Sequence, residues 1–244
     1  MTDFRPLSKA RLSELAKLKQ KKNRQDSKLV IVEGYRLLRQ LSDYGVVPIE
    51  LYIHQQRPDF WMQSPAYILD QNQFSRICES GHPADIAALL ELPVPRKVNY
   101  QHALYLDRIS DPGNLGTIFR SAAAFGVDQI LISEDSCEIS NPKVIRASLG
   151  AVYKVPYQIL SKQELAEESS AFVALDMDGE MSLKDYSWDG QPAIFILGSE
   201  AHGVDQALLR RANTRLRIPM SKDMESLNVA ATAAILAYQL SQMV

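Results

Sequence analysis

We predict the fold of this chain from the sequence ALYLDRISDPGNLGTIFRSAAAFGVDQILIS, residues 103–133. Residues 103–109 are mostly apolar and predict a short strand, and turn-forming residues follow up to Asn114, which can cap a helix. Residues 115–125 place their apolar side chains on one helical stripe, and residues 127–132 predict a buried strand. A strand, a loop, a helix and a second strand in this order predict an α/β fold with a parallel sheet.

Arg120 lies off the apolar stripe of this predicted helix, on the same side as Gly116 and Thr117. Because helical side chains lean toward the N-terminus, a long arginine there can reach back over the loop 111–116. In open α/β sheets, ligands bind in loops at the carboxyl ends of strands, so Arg120 is a candidate binding residue. From geometry alone, the more common interpretation is a solvated arginine on an ordinary helix.

The composition excludes several classes of protein. The chain has 244 residues, enough for one large domain or two small ones with a core. No apolar run is long enough to span a membrane, and the polar start MTDFRPLSK differs from a signal peptide, so we expect a cytoplasmic protein. Two cysteines and four scattered histidines form no metal-spaced cluster, and we expect no metal site.

Positive charge is concentrated at the N-terminus, although the whole chain has a net charge of −2. Residues 1–28 contain nine Lys/Arg and three Asp/Glu, a net charge of +6, which leaves −8 for the remaining residues. A basic segment on an acidic body suits contact with a phosphate backbone. The alternative, compatible with the first, is an amphipathic helix whose Leu12, Leu15 and Leu18 pack on the body.

The pattern of strands and turns predicts two domains. Residues 29–92 alternate short apolar strands with helices and form an α/β unit of their own. The proline-punctuated sequence LPVPRK then predicts a boundary. We therefore divide the chain into residues 1–92, a linker at 93–100 and a second domain at 101–244.

Two further motifs follow predicted strands near the C-terminus. The sequence GSEAHG, residues 198–203, places glycines on both sides of a carboxylate, where a ligand can approach the backbone closely. The sequence SLN, residues 226–228, precedes an alanine-rich helix. By itself, either Ser226 or Asn228 suits the N-cap of that helix.

Taken together, NLGTIFRSA (114–122), LGSEAHG (197–203), and IPM (218–220) followed by SLNV (226–229) resemble, in order, the three motifs of the TrmH (SpoU) family of RNA ribose methyltransferases. The N-terminal module resembles the small substrate-binding domain, similar to ribosomal protein folds, that precedes the catalytic domain in many members. The resemblance implies a SPOUT-type α/β fold with a C-terminal trefoil knot. It also implies S-adenosylmethionine as cofactor and methyl transfer to a ribose 2′-hydroxyl of structured RNA, with rRNA favoured over tRNA.

The resemblance further implies roles for individual residues. The positions that match the catalytic set are Arg120, Asn114, Glu200, Ser226 and Asn228. The positions that match the cofactor-binding set are Leu197, Gly198, Ile218, Met220 and Leu227. To these we add candidate RNA contacts in the basic N-terminal segment and on a short predicted helix after residue 140, namely Lys9, Arg11, Lys21, Lys22, Arg24, Lys143 and Arg146.

In the family, the arginine that matches Arg120 is proposed as the catalytic base. A guanidinium group holds its proton up to about pH 12, so we instead expect Arg120 to anchor the adjacent phosphate and to stabilise the developing alkoxide. The family commonly has glycine where this chain has Lys222, so we expect the cofactor loop to differ in shape or to touch RNA.

Family members pair through the C-terminal region, which implies a homodimer. The last helix of this chain suits close helix packing, either between two copies or within one chain, because it carries Ala230, Ala231, Ala233, Ala234 and Ala237. The alternative function is an RNA-binding protein of the same fold without turnover. The intact Arg120, Glu200 and Asn228 argue against it, because binding alone does not need them.

Overall fold

The structure is a computed structural model that describes residues 5–54, 64–80, 85–221 and 223–243. Up to residue 94 the elements are β1 (Arg5–Pro6), α1 (Lys9–Lys17), α2 (Lys21–Ser27), β2 (Leu29–Glu33), α3 (Tyr35–Asp43), β3 (Glu50–His54), β4 (Ala66–Leu69), α4 (Gln71–Ile77) and β5 (Ile86–Glu91). From residue 95 they are β6 (His102–Leu106), α5 (Pro112–Phe125), β7 (Gln129–Ser133), α6 (Pro142–Ala147), β8 (Tyr157–Leu160), α7 (Lys162–Glu167), β9 (Ala171–Leu175), β10 (Met181–Ser182), β11 (Ala193–Leu197), α8 (Gln206–Arg211), β12 (Thr214–Arg217) and α9 (Val229–Ser241). Lys222, where we expected a changed cofactor loop, lies outside the described residues.

The chain divides into two compact units, which we describe separately. The first contains the described residues up to 94 together with 139–153, and the second contains 95–138 together with those from 154 onward. Segment 139–153, which our sequence division placed in the second domain, thus groups with the first unit. It does so because α6 packs on β2, where Arg146 forms an ion pair of 3.2 Å with Glu33.

The first unit is built on a five-stranded mixed sheet in the order β1-β4-β3-β5-β2. β5 runs antiparallel to both of its neighbours, and the remaining pairs are parallel. The basic segment forms two helices, and its Leu12, Leu15 and Leu18 are buried in a core that includes Phe74 and Leu89. The packing interpretation therefore holds for these leucines, while RNA contact by the same segment stays a prediction.

Two of the predicted RNA-contacting arginines bind the protein itself. Arg24 is only 4% exposed, and its Nη1 donates to the carbonyl oxygens of Leu18 (3.1 Å) and Lys19 (2.8 Å). This guanidinium satisfies carbonyls beyond the end of α1, and it is too buried to reach a phosphate. The guanidinium of Arg11 pairs with Glu50 at 2.7 Å and with a second acid on its own helix. The exposed candidates of the segment are Lys9, Lys21 and Lys22.

The second unit is built on a seven-stranded sheet in the order β10-β12-β9-β11-β6-β7-β8, and all of its strand pairs are parallel. The prediction of an α/β fold with a parallel sheet is therefore confirmed. β11 and β6 are buried along their whole length, and α5 packs against α9. Because the strands are parallel, the loops that follow β12, β9, β11, β6 and β7 all leave the same edge of the sheet.

The start of α5 differs from the sequence prediction. β6 ends at Leu106, and α5 begins at Pro112 with Asp111 as its N-cap, whose Oδ1 accepts a hydrogen bond from the backbone N of Asn114 (2.8 Å). Proline suits the first helical position because its missing N–H needs no partner there. Asn114 is thus inside the first turn rather than at the cap, and its side chain is available for other contacts.

Candidate active site

Three residues of the predicted catalytic set meet at the carboxyl edge of the parallel sheet. Asn114 lies on the first turn of α5, Glu200 follows β11, and Asn228 precedes α9. The Nδ2 of Asn114 donates to the Glu200 Oε1 at 2.9 Å. The Nδ2 of Asn228 donates to the same oxygen at 2.5 Å and to the Oδ1 of Asn114 at 3.0 Å. One carboxylate oxygen is therefore held by two amides from separate elements.

Asn228 also performs the capping role that the sequence left open. Its Oδ1 accepts hydrogen bonds from the backbone N of Ala230 (2.9 Å) and Ala231 (3.3 Å), so the side chain caps α9. The two interpretations of this residue are compatible because an amide has an acceptor oxygen and a donor nitrogen. Helix capping fixes the orientation of the amide and thereby directs its nitrogen at Glu200.

A cavity of about 430 Å³ lies at the carboxyl ends of β9, β11 and β12. Its volume is in the range of small-ligand sites, and much of its lining is apolar. All the residues predicted from the sequence to bind the cofactor line it, namely Leu197, Gly198, Ile218, Met220 and Leu227. The loop that carries Glu200 lines it as well.

Gly198 is required by the path of the backbone around this cavity. A Cβ atom built on it would overlap the backbone of Gly203 and Val204, which is not free to give way as a flexible side chain would. The N of Gly203 donates to the carbonyl oxygen of Ser199 (2.8 Å), which closes the loop on itself. Glycine therefore lets the chain fold back over the end of β11, and the backbone itself forms one wall of the cavity.

Two acids in the cavity lining were missed by the sequence analysis. Asp176 lines the cavity and pairs with Arg215 through Oδ2 at 2.5 Å. Glu225 lines it too, and its exposed carboxylate has no hydrogen bond or ion pair with a described residue. Glu225 is thus available to accept hydrogen bonds from a ligand. No motif marked it, because a lone glutamate in a loop carries no spacing signal.

The remaining predicted catalytic residues are placed differently. Ser226 lines the cavity, but it forms no hydrogen bond with the described residues. Arg120 lies on the exposed side of α5, lines neither this cavity nor its neighbour, and forms no ion pair or hydrogen bond within the described part of the chain. The predicted RNA contact Lys143 is exposed on α6 in the first unit, beside the paired Arg146.

The described residues contain no group of three or more His, Cys, Asp or Glu side chains arranged to hold a metal ion. Within the same residues, every helix is too short or too polar to cross a membrane.

Comparison with known proteins decides the family. Residues 101–238 match the SpoU rRNA Methylase family, which is more than half of the chain. The chain belongs to this family. Residues 9–88 of this SpoU-family protein match the MRM3-like substrate binding domain. The family resemblance found in the sequence, including the N-terminal substrate-binding module, is therefore confirmed.

One similar protein spans nearly the whole SpoU-family chain, and another spans somewhat less than two thirds of it. The 23S rRNA (guanosine(2553)-2′-O)-methyltransferase RlmP of Bacillus subtilis is 30% identical over 236 residues, which cover 94% of this chain and 95% of the relative. The 23S rRNA (uridine(2479)-2′-O)-methyltransferase of Streptomyces viridochromogenes is 27% identical, over 64% of this chain and 60% of the relative.

Solved structures share the fold. A TrmH-family protein from Porphyromonas gingivalis superposes with a TM-score of 0.81 at 28% identity and covers 96% of this chain and 98% of its own. The SpoU methyltransferase AviRb from Streptomyces viridochromogenes, solved with AdoMet (S-adenosylmethionine), also has a TM-score of 0.81, at 21% identity, with 96% and 98% covered. At that lower identity the likeness concerns the fold alone.

Proposed function

We propose that this SpoU-family protein methylates a ribose 2′-hydroxyl of ribosomal RNA, with AdoMet as the methyl donor. The observation that carries the proposal is the cluster of Asn114, Glu200 and Asn228 beside an apolar cavity at the carboxyl edge of a parallel sheet. When bound, AdoMet supplies a methyl group that its sulfonium sulfur already activates. The protein is left with two tasks, which are to position the acceptor hydroxyl and to manage its proton.

The first cavity fits this cofactor. Its apolar lining suits the adenine ring and the methionine chain, and the backbone approach at Gly198 offers backbone groups to polar atoms. Glu225 supplies a carboxylate that can accept hydrogen bonds from sugar hydroxyls. We therefore propose that cofactor binding rests on the residues that the family resemblance named, which are Leu197, Gly198, Ile218, Met220 and Leu227.

Glu200 is proposed to orient the ribose. Its Oε1 is held by Asn114 and Asn228, whereas its Oε2 forms no hydrogen bond with a described residue. A carboxylate fixed in this way can accept a hydrogen bond from the ribose and hold the 2′-hydroxyl in line for attack. Ser226, which lines the same cavity, is proposed to contribute to this orientation.

Arg120 is proposed to anchor an RNA phosphate next to the target ribose and to stabilise the alkoxide that develops there. A general base must be deprotonated to accept the hydroxyl proton, whereas a guanidinium group keeps its proton up to about pH 12. An exposed guanidinium with no ion pair to a described residue is suited to two-point contact with phosphate. The chemistry of the guanidinium thus supports the anchoring role over proton abstraction.

The first unit is proposed to grip the RNA through exposed lysines, because residues 9–88 match a substrate-binding domain. The lysines retained in this proposal are Lys9, Lys21, Lys22 and Lys143. Arg24 is left out because it is buried, and Arg11 and Arg146 are left out because each guanidinium pairs with a largely buried glutamate, Glu50 and Glu33 respectively. A cytoplasmic location is part of the same proposal and is consistent with the bacterial rRNA methyltransferases among the relatives.

We also propose a homodimer, but the evidence for it is no longer the alanines of the last helix. Ala230, Ala233 and Ala237 are buried, so these alanines serve packing within the chain. The exposed side of α9 instead presents Ile235 and Tyr238, which are 41% and 53% exposed, and large apolar side chains on a helix face suit a partner copy.

The proposed function is tested by incubating the purified protein with radiolabelled AdoMet and unmodified transcripts of ribosomal RNA and of transfer RNA. We expect label in ribosomal RNA as a 2′-O-methyl nucleoside, and loss of label with Arg120→Ala while calorimetry shows unchanged AdoMet binding. Label in transfer RNA alone would contradict the proposal that ribosomal RNA is the substrate. RNA binding without any transfer would favour the binding protein that lacks turnover.

A further inference from the structure

A second cavity of about 360 Å³ lies at the carboxyl ends of the neighbouring strands β11, β6 and β7. Asn114 and Glu200 line it, and the loop 199–202 lines both cavities. A ligand in the second cavity would thus meet the proposed catalytic cluster on one side and the cofactor cavity on the other. The roles proposed so far leave the polar residues Arg108 and Asp135 of its lining unexplained.

Arg108 is held in a fixed orientation. It follows β6 with φ of +58°, a conformation uncommon for residues other than glycine and one that clusters at functional sites. Its Nε (3.2 Å) and Nη2 (2.9 Å) donate to the fully buried carboxylate of Asp107, and Nη2 also donates to the carbonyl oxygen of Gly203 (3.3 Å). The hydrogen bond to Asp107 raises the pKa of Arg108. Its Nη1 has no hydrogen bond to a described residue, so one donor group remains for a ligand.

Asp135 is held in place by the turn that follows β7. The backbone N of Arg108 donates to the Ser133 Oγ (2.8 Å), and the backbone N of Ile109 donates to the Ser136 Oγ (3.0 Å). Two serines that bracket Asp135 therefore tie its turn to the segment that carries Arg108. The Asp135 carboxylate is exposed and forms no hydrogen bond or ion pair with the described residues.

A fixed guanidinium and a free carboxylate in one cavity select among the four bases. A carboxylate accepts two parallel hydrogen bonds, and a guanidinium only donates. Guanine alone offers two adjacent donors, N1–H and N2–H, beside an acceptor, O6. Adenine, cytosine and uracil each offer a single donor group on that edge, and so leave part of this pair unsatisfied. An unsatisfied polar group is costly, which makes the pair a means of discrimination.

We propose that the second cavity binds the base of the target nucleotide and that this base is guanine. Asp135 accepts from N1–H and N2–H, and Arg108 donates to O6. The inference rests on the proposed function and adds the identity of the substrate nucleotide. Family membership leaves this open, because one relative is named for a guanosine and another for a uridine.

The first experiment identifies the methylated nucleoside. Unmodified transcripts of all the ribosomal RNAs of the host are incubated with the full-length protein and AdoMet, digested to nucleosides and analysed by mass spectrometry. We expect 2′-O-methylguanosine. A 2′-O-methyl group on adenosine, cytidine or uridine would overturn the inference and leave the proposed function standing. Absence of any 2′-O-methyl nucleoside would overturn the proposed function, and the inference with it.

The second experiment tests Asp135 on an RNA fragment carrying guanosine or inosine at the position so identified, since inosine lacks only the N2 amino group. The wild type is expected to lose about 10-fold in kcat/KM on inosine, and Asp135→Ala about 10- to 100-fold on guanosine. Asp135→Ala should then have the same kcat/KM on both RNAs, and calorimetry should show unchanged affinity for AdoMet. Glu134→Ala, an exposed acid of the same turn that lines neither cavity, is the matched control and should behave as wild type. An Asp135→Ala variant that still discriminates against inosine would refute the assignment.

Discussion

The double role of Asn228 gives a sharp test, because Asn228→Asp separates capping from catalysis. Aspartate keeps the acceptor that caps α9 but loses the Nδ2 that donates to Asn114 (3.0 Å) and Glu200 (2.5 Å). Two hydrogen bonds, one of them to a charged acceptor, are together worth about 2 kcal/mol at an exposed site. The new carboxylate adds repulsion of about 1 kcal/mol toward Glu200 in a solvated setting. A total of about 3 kcal/mol corresponds to a loss of about 100-fold in the rate of methyl transfer.

Stability should fall in both variants, because the lost contacts belong to the folded protein. Asn228→Asp keeps the cap but loses about 3 kcal/mol through the hydrogen bonds and the repulsion, and Asn228→Ala loses about 2 kcal/mol of hydrogen bonds and about 1 kcal/mol of capping, so each should lower Tm by about 6–12 °C. Single-turnover methyl transfer and thermal melting measure the two effects. Asn213→Asp is the matched control, because Asn213 also serves as an acceptor, for the backbone N of Phe172 at 2.8 Å, but lines neither cavity. If Asn228→Asp turned over at the wild-type rate, the cluster would not be part of the active site.

Further predictions concern other parts of the chain. Arg120→Lys should be severely impaired at every pH, whereas rescue in alkali, as the lysine with its reference pKa of about 10.4 loses its proton, would indicate base catalysis instead. Gly198→Ala should weaken AdoMet binding measured by calorimetry at least about 10-fold, because its Cβ overlaps backbone; unchanged affinity would contradict the cavity assignment. Burial lowers the pKa of His102 below its usual 6.5, so the unfolded chain binds a proton that the folded protein does not. The free energy of unfolding, measured in urea, should therefore fall as pH drops below 6.5, and it should fall more steeply in the wild type than in His102→Gln. If both proteins lost stability equally with pH, His102 would not be the responsible group. Ile235→Asp should convert the proposed dimer to a monomer in light scattering, and a wild-type monomer at micromolar concentration would count against the dimer.

The parallel sheet was predictable because its signals are local. The apolar residues of β6, α5 and β7 repeat with strand and helix periods, and those periods do not depend on distant residues. The start of α5 was misplaced because Asp111 and Asn114 are both good caps. The proline after Asp111 was the signal that favoured the correct one.

The site required long-range information. Asn114, Glu200 and Asn228 are far apart in the sequence, and only the order of the family motifs connected them before the structure brought them into contact. The left-handed backbone of Arg108 left no signal, because arginine rarely adopts it. Charge counting also included Arg24 among the candidate RNA contacts, since the sequence does not distinguish a buried arginine from an exposed lysine.

A map of ribose methylation at nucleotide resolution tests whether this protein modifies ribosomal RNA. The map is made in cells with and without the protein and in cells complemented with Arg120→Ala. We expect a ribose of ribosomal RNA to lose its 2′-O-methyl group without the protein, to regain it with the wild type, and not to regain it with Arg120→Ala. An unchanged map of ribosomal RNA, or a loss confined to transfer RNA, would contradict it.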